Sequence, residues 1–219
     1  MQQLPTNNTT FRSWYSFAHL LLTRIQPFLD RTRRPRQLGF TAGRSTVDVI
    51  LALRLLSELH REFDRPLYVA YLDIKAAFDS VDRRALWNAM RSKGVPDILP
   101  DLIVALHENT EAQVRCGTNL SGQLLTTSGV RHGCTVAPAL FSVVVDWIMD
   151  QMSHKPRVDV GDRRFTDLAY GDHTTFFVSS SSNAANCLSS FNCSSSTLGL
   201  RVSWENKQNL VHWLWSTTT

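Results

Sequence analysis

Cysteine is scarce in this chain, and Cys116, Cys134, Cys187 and Cys193 form no C-x-x-C pair. A disulfide framework is therefore not expected. The four read as reduced thiols of an intracellular protein, with Cys116 and Cys134 partly buried. Long apolar runs are also lacking, and none reaches the ~18 residues needed to span a bilayer. The run over residues 99–106 is too short, and Asp146 interrupts the one over 139–148. Residues 1–10 are polar and do not resemble a secretory leader. No internal repeat is visible, which argues against a solenoid. Lysine is absent from residues 1–65, although that stretch carries ten arginines and only five acids.

What is present is a globular composition. The chain has 219 residues, 43% of them hydrophobic and 19% charged, enough for one domain with a sizeable core and too apolar for wholesale disorder. The net charge of +4 is mild, but its distribution is not. The positive field sits in the N-terminal third, most densely at Arg31, Arg33, Arg34 and Arg36. A basic lobe beside an acidic centre suits a protein that grips a phosphate backbone and holds metal ions nearby. Charge alone is better served by a solvated basic face or a nuclear-import patch.

The local patterns predict the elements. Leu20, Leu21, Ile25 and Phe28 recur at helical spacing over 17–29, and the Arg/Pro stretch over 31–36 ends that helix. Residues 39–43 form a turn-rich loop. Ser45 and Thr46 can cap the next helix, with Val47, Ile50, Leu51, Leu55 and Leu59 on one face and Asp48 in the first turn. Residues 67–72 read as a buried strand. Helices follow over 82–93, stopped by Gly94, and over 97–108. Two short strands are expected in 112–130, around a turn at 118–122, and then a helix over 135–151. Strands over 164–170 and 173–178 flank the turn Gly171–Asp172. Residues 179–199 hold nine serines, with Ala184, Leu188 and Phe191 spaced for a weak amphipathic helix. Two last strands fit 200–204 and 210–215. Strands, hairpins and helices in this mixture predict an α+β domain, an antiparallel sheet with helices on one face.

Two acids stand out. Asp73 directly follows the apolar strand, and a carboxylate there is costly unless paired, hydrogen-bonded or metal-bound. Asp172 occupies the turn between two apolar strands. Singly, Asp73 could pair with Lys75 and Asp172 could be an ordinary turn residue. If their strands are neighbours, both carboxylates reach one sheet edge. Paired carboxylates can hold Mg²⁺, a hard cation that prefers oxygen ligands and phosphates. Two such ions, about 4 Å apart, can activate a 3′-hydroxyl and neutralise a leaving pyrophosphate.

Five blocks, in order, carry a resemblance. They are Q-L-G-F-T-A-G-R-S-T-V-D (37–48), Y-L-D-I-K-A-A-F-D-S-V-D (71–82), S-G-V-R-H-G-C-T-V-A-P-A-L-F (128–141), L-A-Y-G-D-H (168–173) and L-G-L-R-V-S-W (198–204). Together they resemble the reverse transcriptases of non-LTR (LINE-type) retrotransposons. The resemblance runs from about Phe17 to Leu210. It implies a polymerase palm with partial fingers, divided as an unmatched segment 1–16, fingers 17–66 and palm 67–219, with the thumb absent. It implies RNA-directed DNA synthesis, with Asp73 and Asp172 as catalytic metal ligands for two Mg²⁺ (or Mn²⁺) ions. Phe78 matches the aromatic gate under the incoming sugar. Arg131, His132 and Gly133 match the nucleotide-contacting loop, where Gly129 and Gly133 allow close backbone approach. Arg44 is implied to meet a template phosphate, and the basic residues Arg33, Arg34 and Arg36 to bind nucleic acid. The implied partners are an RNA template, a DNA primer and deoxynucleoside triphosphates, with no membrane, in a nuclear setting.

The same comparison exposes departures. His173 stands where the family's turn has its second Asp, and imidazole neither replaces that negative charge nor suits Mg²⁺. His132 and Thr135 replace a usual Gln and Pro. The fifth block is two residues short, leaving Lys207 as the candidate for the lysine that assists pyrophosphate. The expectation is a reverse transcriptase with impaired turnover. The alternative is a non-catalytic nucleic-acid-binding remnant.

Overall fold

The computed structural model describes residues 8–131, 133–203 and 210–213. His132, Lys207, Trp204 and residues 1–7 of the unmatched N-terminal segment lie outside the described residues. In chain order the elements begin with α1 (Asn8–Thr32), α2 (Thr46–Glu62), β1 (Leu67–Leu72), β2 (Ile74–Lys75), α3 (Ala77–Ser80), α4 (Arg83–Ser92) and α5 (Ile98–His107). Four two-residue strands follow, β3 (Glu111–Ala112), β4 (Arg115–Cys116), β5 (Asn119–Leu120) and β6 (Leu124–Leu125), and then α6 (Ala137–Gln151). The chain continues through β7 (Val158–Val160), β8 (Arg163–Phe165), β9 (Asp167–Tyr170), β10 (His173–Val178), α7 (Ser181–Ser196), β11 (Arg201–Val202) and β12 (Leu210–Trp213). This is the expected α+β composition.

The residues fall into two compact units, each discontinuous in sequence. One comprises Met1–Arg33 with Ala76–Val144, the other Arg34–Lys75 with Val145–Thr219. In the first, α1 buries Ala18, Leu21, Ile25 and Leu29 along one stripe and packs against α5. Leu20, expected inside, is exposed because it lies off that stripe. Asp82 caps α4, its carboxylate accepting from the Ala85 amide at 2.7 Å. Residues 111–125 make one nested hairpin, β3 pairing with β6 and β4 with β5, rather than two simple strands. Cys116 sits in that hairpin and is exposed, while Cys134 is buried. The expectation that both are partly buried fails because the hairpin has no apolar layer over Cys116: Leu120, Leu124 and Leu125 are themselves exposed.

The second unit is built on the antiparallel sheet β12-β1-β10-β9. Strand β1 is buried from both sides, as its unbroken apolar run predicted. Phe176 of β10 meets Phe191 of α7 edge to face, ring centroids 5.6 Å apart. Its neighbour Phe177 gathers with Val69, Leu67, Leu56 of α2 and Val158 of β7. Ser180 caps α7, so the serine-rich stretch is a 16-residue helix with Ala184, Cys187 and Phe191 buried.

Helix α2 corrects one expectation. Ser45 and Asp48 do form a capping box. The apolar face read from the sequence points outward, however: Val47, Ile50, Leu51 and Leu55 are all half or more exposed. Leu56 and His60 are buried instead, with Leu53 packed against the core. The helix is apolar on nearly every side, so periodicity does not choose the face. Packing against the sheet does.

Candidate metal centre

Antiparallel register brings the two acids together. Leu72, the last residue of β1, pairs with Thr174 near the start of β10, and His173 pairs with Tyr170 across the β9–β10 turn. Asp73 therefore leaves β1 beside the turn that holds Asp172. The backbone of Asp73 is pinned as well: its carbonyl accepts from the Ser203 amide at 2.8 Å, and the next residues pair Ile74 with Val202 and Lys75 with Arg201. The fifth sequence block thus buttresses the second.

Oxygen atoms of Asp73 and Asp172 and a nitrogen of His173 all lie within 4.8 Å of one another. His173 faces both acids, Nδ1 at 3.5 Å from Asp73 Oδ1 and Nε2 at 3.8 Å from Asp172 Oδ1. The side chains of Asp73 and Asp172 are 43% and 38% exposed, so an ion and a phosphate can reach them from solvent. Two carboxylates fit a hard divalent cation, whereas the imidazole adds a neutral nitrogen donor that suits Mn²⁺ or Zn²⁺ better than Mg²⁺.

The first unit holds the described residues that were expected to contact the nucleotide, Phe78, Arg131 and Gly133. Phe78 is half-buried and stacks on Phe141, ring centroids 4.8 Å apart. The loop after it is bonded to its backbone: the Gly129 amide donates to the Val81 carbonyl and the Val130 amide to the Phe78 carbonyl, both at 2.8 Å. A Cβ at Gly129 would fall 2.7 Å from the carbonyl oxygens of Phe78 and Asp79, so this glycine permits approach of backbone to backbone. Gly133 has open space around it and a φ of +75°, so it serves the turn and not a close contact. The Arg131 guanidinium lies over the Trp14 ring, 3.8 Å from its centroid.

Sequence reasoning missed Arg83. Its guanidinium donates to the carbonyls of Gly129, Thr126 and His107 at 2.8–3.0 Å and to the Thr110 hydroxyl at 2.9 Å. These bonds tie together the loop that leads to Arg131. Partners 24 to 46 residues away leave no local signal.

The arginine cluster is less available than its density implied. Arg33 has a side chain only 8% exposed, beside Asp30. Arg34 is paired with the buried Asp167. Arg36 is partly buried and donates to the Arg164 carbonyl at 3.0 Å, and Arg44 is exposed. Two of the four residues read as nucleic-acid contacts thus have largely buried side chains, Arg34 because the internal Asp167 holds it. Among the described residues, no helix is long and apolar enough to cross a membrane.

Comparison with known proteins shows the family and the fold. A family model described as "Reverse transcriptase (RNA-dependent DNA polymerase)" matches residues 10–216. The Pol polyprotein of a type-1 retrotransposable element R2 from Nasonia vitripennis is 26% identical over 137 residues, covering 63% of this chain and 13% of that protein. The corresponding protein of element R2DM from Drosophila melanogaster is 27% identical over 165 residues, covering 72% of this chain and 15% of its own length. The chain therefore spans only a small part of these relatives. Among solved structures, the telomerase of Candida tropicalis in complex with a fragment of telomeric RNA covers 97% of this chain with a TM-score of 0.65. That match takes in 35% of the telomerase chain at 12% identity, and so speaks for the fold alone.

Proposed function

Because this chain belongs to the reverse transcriptase (RNA-dependent DNA polymerase) family, we propose that it carries the palm of an RNA-copying enzyme whose turnover is lowered by His173. The convergence of Asp73 and Asp172 at one end of the sheet is the observation that supports this reading most directly. In the reaction, the primer 3′-hydroxyl oxygen bonds to the α-phosphorus of a deoxynucleoside triphosphate. The bond to the bridging oxygen breaks, pyrophosphate leaves, and the hydroxyl proton passes to solvent. Asp73 and Asp172 would hold divalent ions, Mg²⁺ or Mn²⁺, which when bound favour the hydroxyl's ionisation and offset the charge of the leaving group. Phe78 would contact the nucleotide sugar, with Arg131, His132 and Gly133 beside it, and Arg36 and Arg44 would meet the RNA template and DNA primer. The same reading assigns the chain to the nucleus, where a chromosomal primer is found.

A second reading, a non-catalytic nucleic-acid-binding remnant, is favoured by His173 facing both carboxylates. Primer extension on an RNA template separates the two. Under the first reading the chain extends weakly with Mn²⁺, Asp73→Asn abolishes extension, and His173→Asp increases it with Mg²⁺. No extension by either the natural chain or His173→Asp, with salt-sensitive RNA binding retained, would leave the second reading standing.

A further inference from the structure

We propose that residues 36–40 are a positioning clamp for the turn that presents Asp172, with Gly39 as its contact point. The inference rests on the reading of Asp172 as a metal ligand. Strand β9 is the edge of its sheet, yet its edge is not bare. The Ala169 amide donates to the Arg36 carbonyl at 3.0 Å, the Leu38 amide donates to the Ala169 carbonyl at 2.8 Å, and Gln37 bridges Ala169 in parallel. This short segment therefore runs alongside the strand toward its turn.

At the turn the contact is backbone on backbone. A Cβ added to Gly39 would lie 2.1 Å from the Gly171 nitrogen and 2.9 Å from the Tyr170 carbonyl carbon. No side chain fits there without displacing the turn. The next residue, Phe40, is held at a φ of +55°, a conformation uncommon outside glycine. Its ring would meet a Cβ on Gly171 at 3.5 Å, so it closes the same side. Gln37 is buried, and its Oε1 accepts from the Gly39 amide at 3.2 Å, which sets the segment's course. At the far end of β9, Asp167 is held by Arg34 and by the Thr166 hydroxyl, the latter at 2.6 Å. Both ends of β9 are thus fixed by residues 34–40. The block whose Arg44 was expected to meet a template phosphate spends its first residues on orienting the metal turn. Outer partners of metal ligands set ligand direction and so affinity.

The test measures Mn²⁺ affinity of the whole chain by electron paramagnetic resonance of the free ion, with thermal unfolding followed in parallel. Asp73→Asn and Asp172→Asn first locate the ion. If neither changes Mn²⁺ binding, the metal reading fails and the clamp loses its premise. If both weaken it, Gly39→Ala is expected to lower affinity by about tenfold or more. Gly122→Ala, where an added methyl meets nothing within 4 Å, should match the natural chain. Natural affinity in Gly39→Ala overturns the clamp while the metal reading stands. Should Gly39→Ala fail to fold, Phe40→Gly decides: it removes the ring and relaxes the positive φ. A smaller but definite loss of Mn²⁺ affinity supports the clamp, and an unchanged value overturns it.

Discussion

His173 and Arg34 show how one side chain redirects a site. With Asp in place of His173, the turn would present a second carboxylate, and a divalent cation would meet only oxygen donors. With His, one nitrogen faces Asp73 and the other Asp172. Arg34 looked like a phosphate contact because it stands in an Arg-rich stretch. Its partner is Asp167, whose side chain is 1% exposed. Removing one member of such a pair leaves a buried charge unmatched. Arg34→Ala is therefore expected to destabilise by about 3–5 kcal/mol in urea unfolding. A loss under about 0.5 kcal/mol, typical of a surface change, would return Arg34 to the role of an exposed nucleic-acid contact.

Helix α2 is well specified along its axis and poorly specified around it. Ser45 and Asp48 start it, the Ser45 amide donating to the Asp48 carboxylate at 2.8 Å. Around the axis, Val47, Ile50, Leu51, Leu53, Leu55, Leu56 and Leu59 offer more apolar surface than one interface can use. Leu56 is 3% exposed and Ile50 is 63% exposed. Leu56→Ala should thus cost about 2–5 kcal/mol, whereas Ile50→Lys should stay within about 0.5 kcal/mol. Chemical denaturation of the two variants checks this, and the opposite ranking would mean that the helix is turned the other way. The clamp on β9 belongs here too. An edge strand with one covered rim and a turn braced by Gly39 can hold Asp172 in place without a long side chain.

The chain as a whole should also lose stability in acid through a histidine far from Asp73 in sequence. His107 is 2% exposed, and burial holds its imidazole down to about 4 from the ordinary 6.5, with Arg83 and Arg131 adding repulsion to any proton there. Its Nδ1–H donates to the Ile103 carbonyl at 2.8 Å, and the Trp87 ring stands edge-on at 5.2 Å. The unfolded chain binds the proton more readily than the folded one. The contribution is therefore complete above pH 6.5 and is lost as pH falls from 6.5 toward 4. It amounts to roughly 3 kcal/mol. In His107→Gln the decline over that window should be shallower by about this amount, and equal declines in both chains would contradict the assignment.

Local chemistry settled much of this architecture. The apolar run over 67–72, the strand over 173–178 after the Gly171–Asp172 turn, the helix beginning at Asp82 and the cap at Ser45 are short-range signals, and each element formed where it was expected. The five blocks also settled the family, since motif order survives where overall identity does not. Tertiary contact alone decided which side of α2 is buried, that Arg34 answers Asp167 133 residues away, and that Gly39 lies on Gly171. Those outcomes depend on burial and on partners distant along the chain. Such pairings cost loop closure first and are repaid only once the sheet exists, so no neighbouring residue announces them.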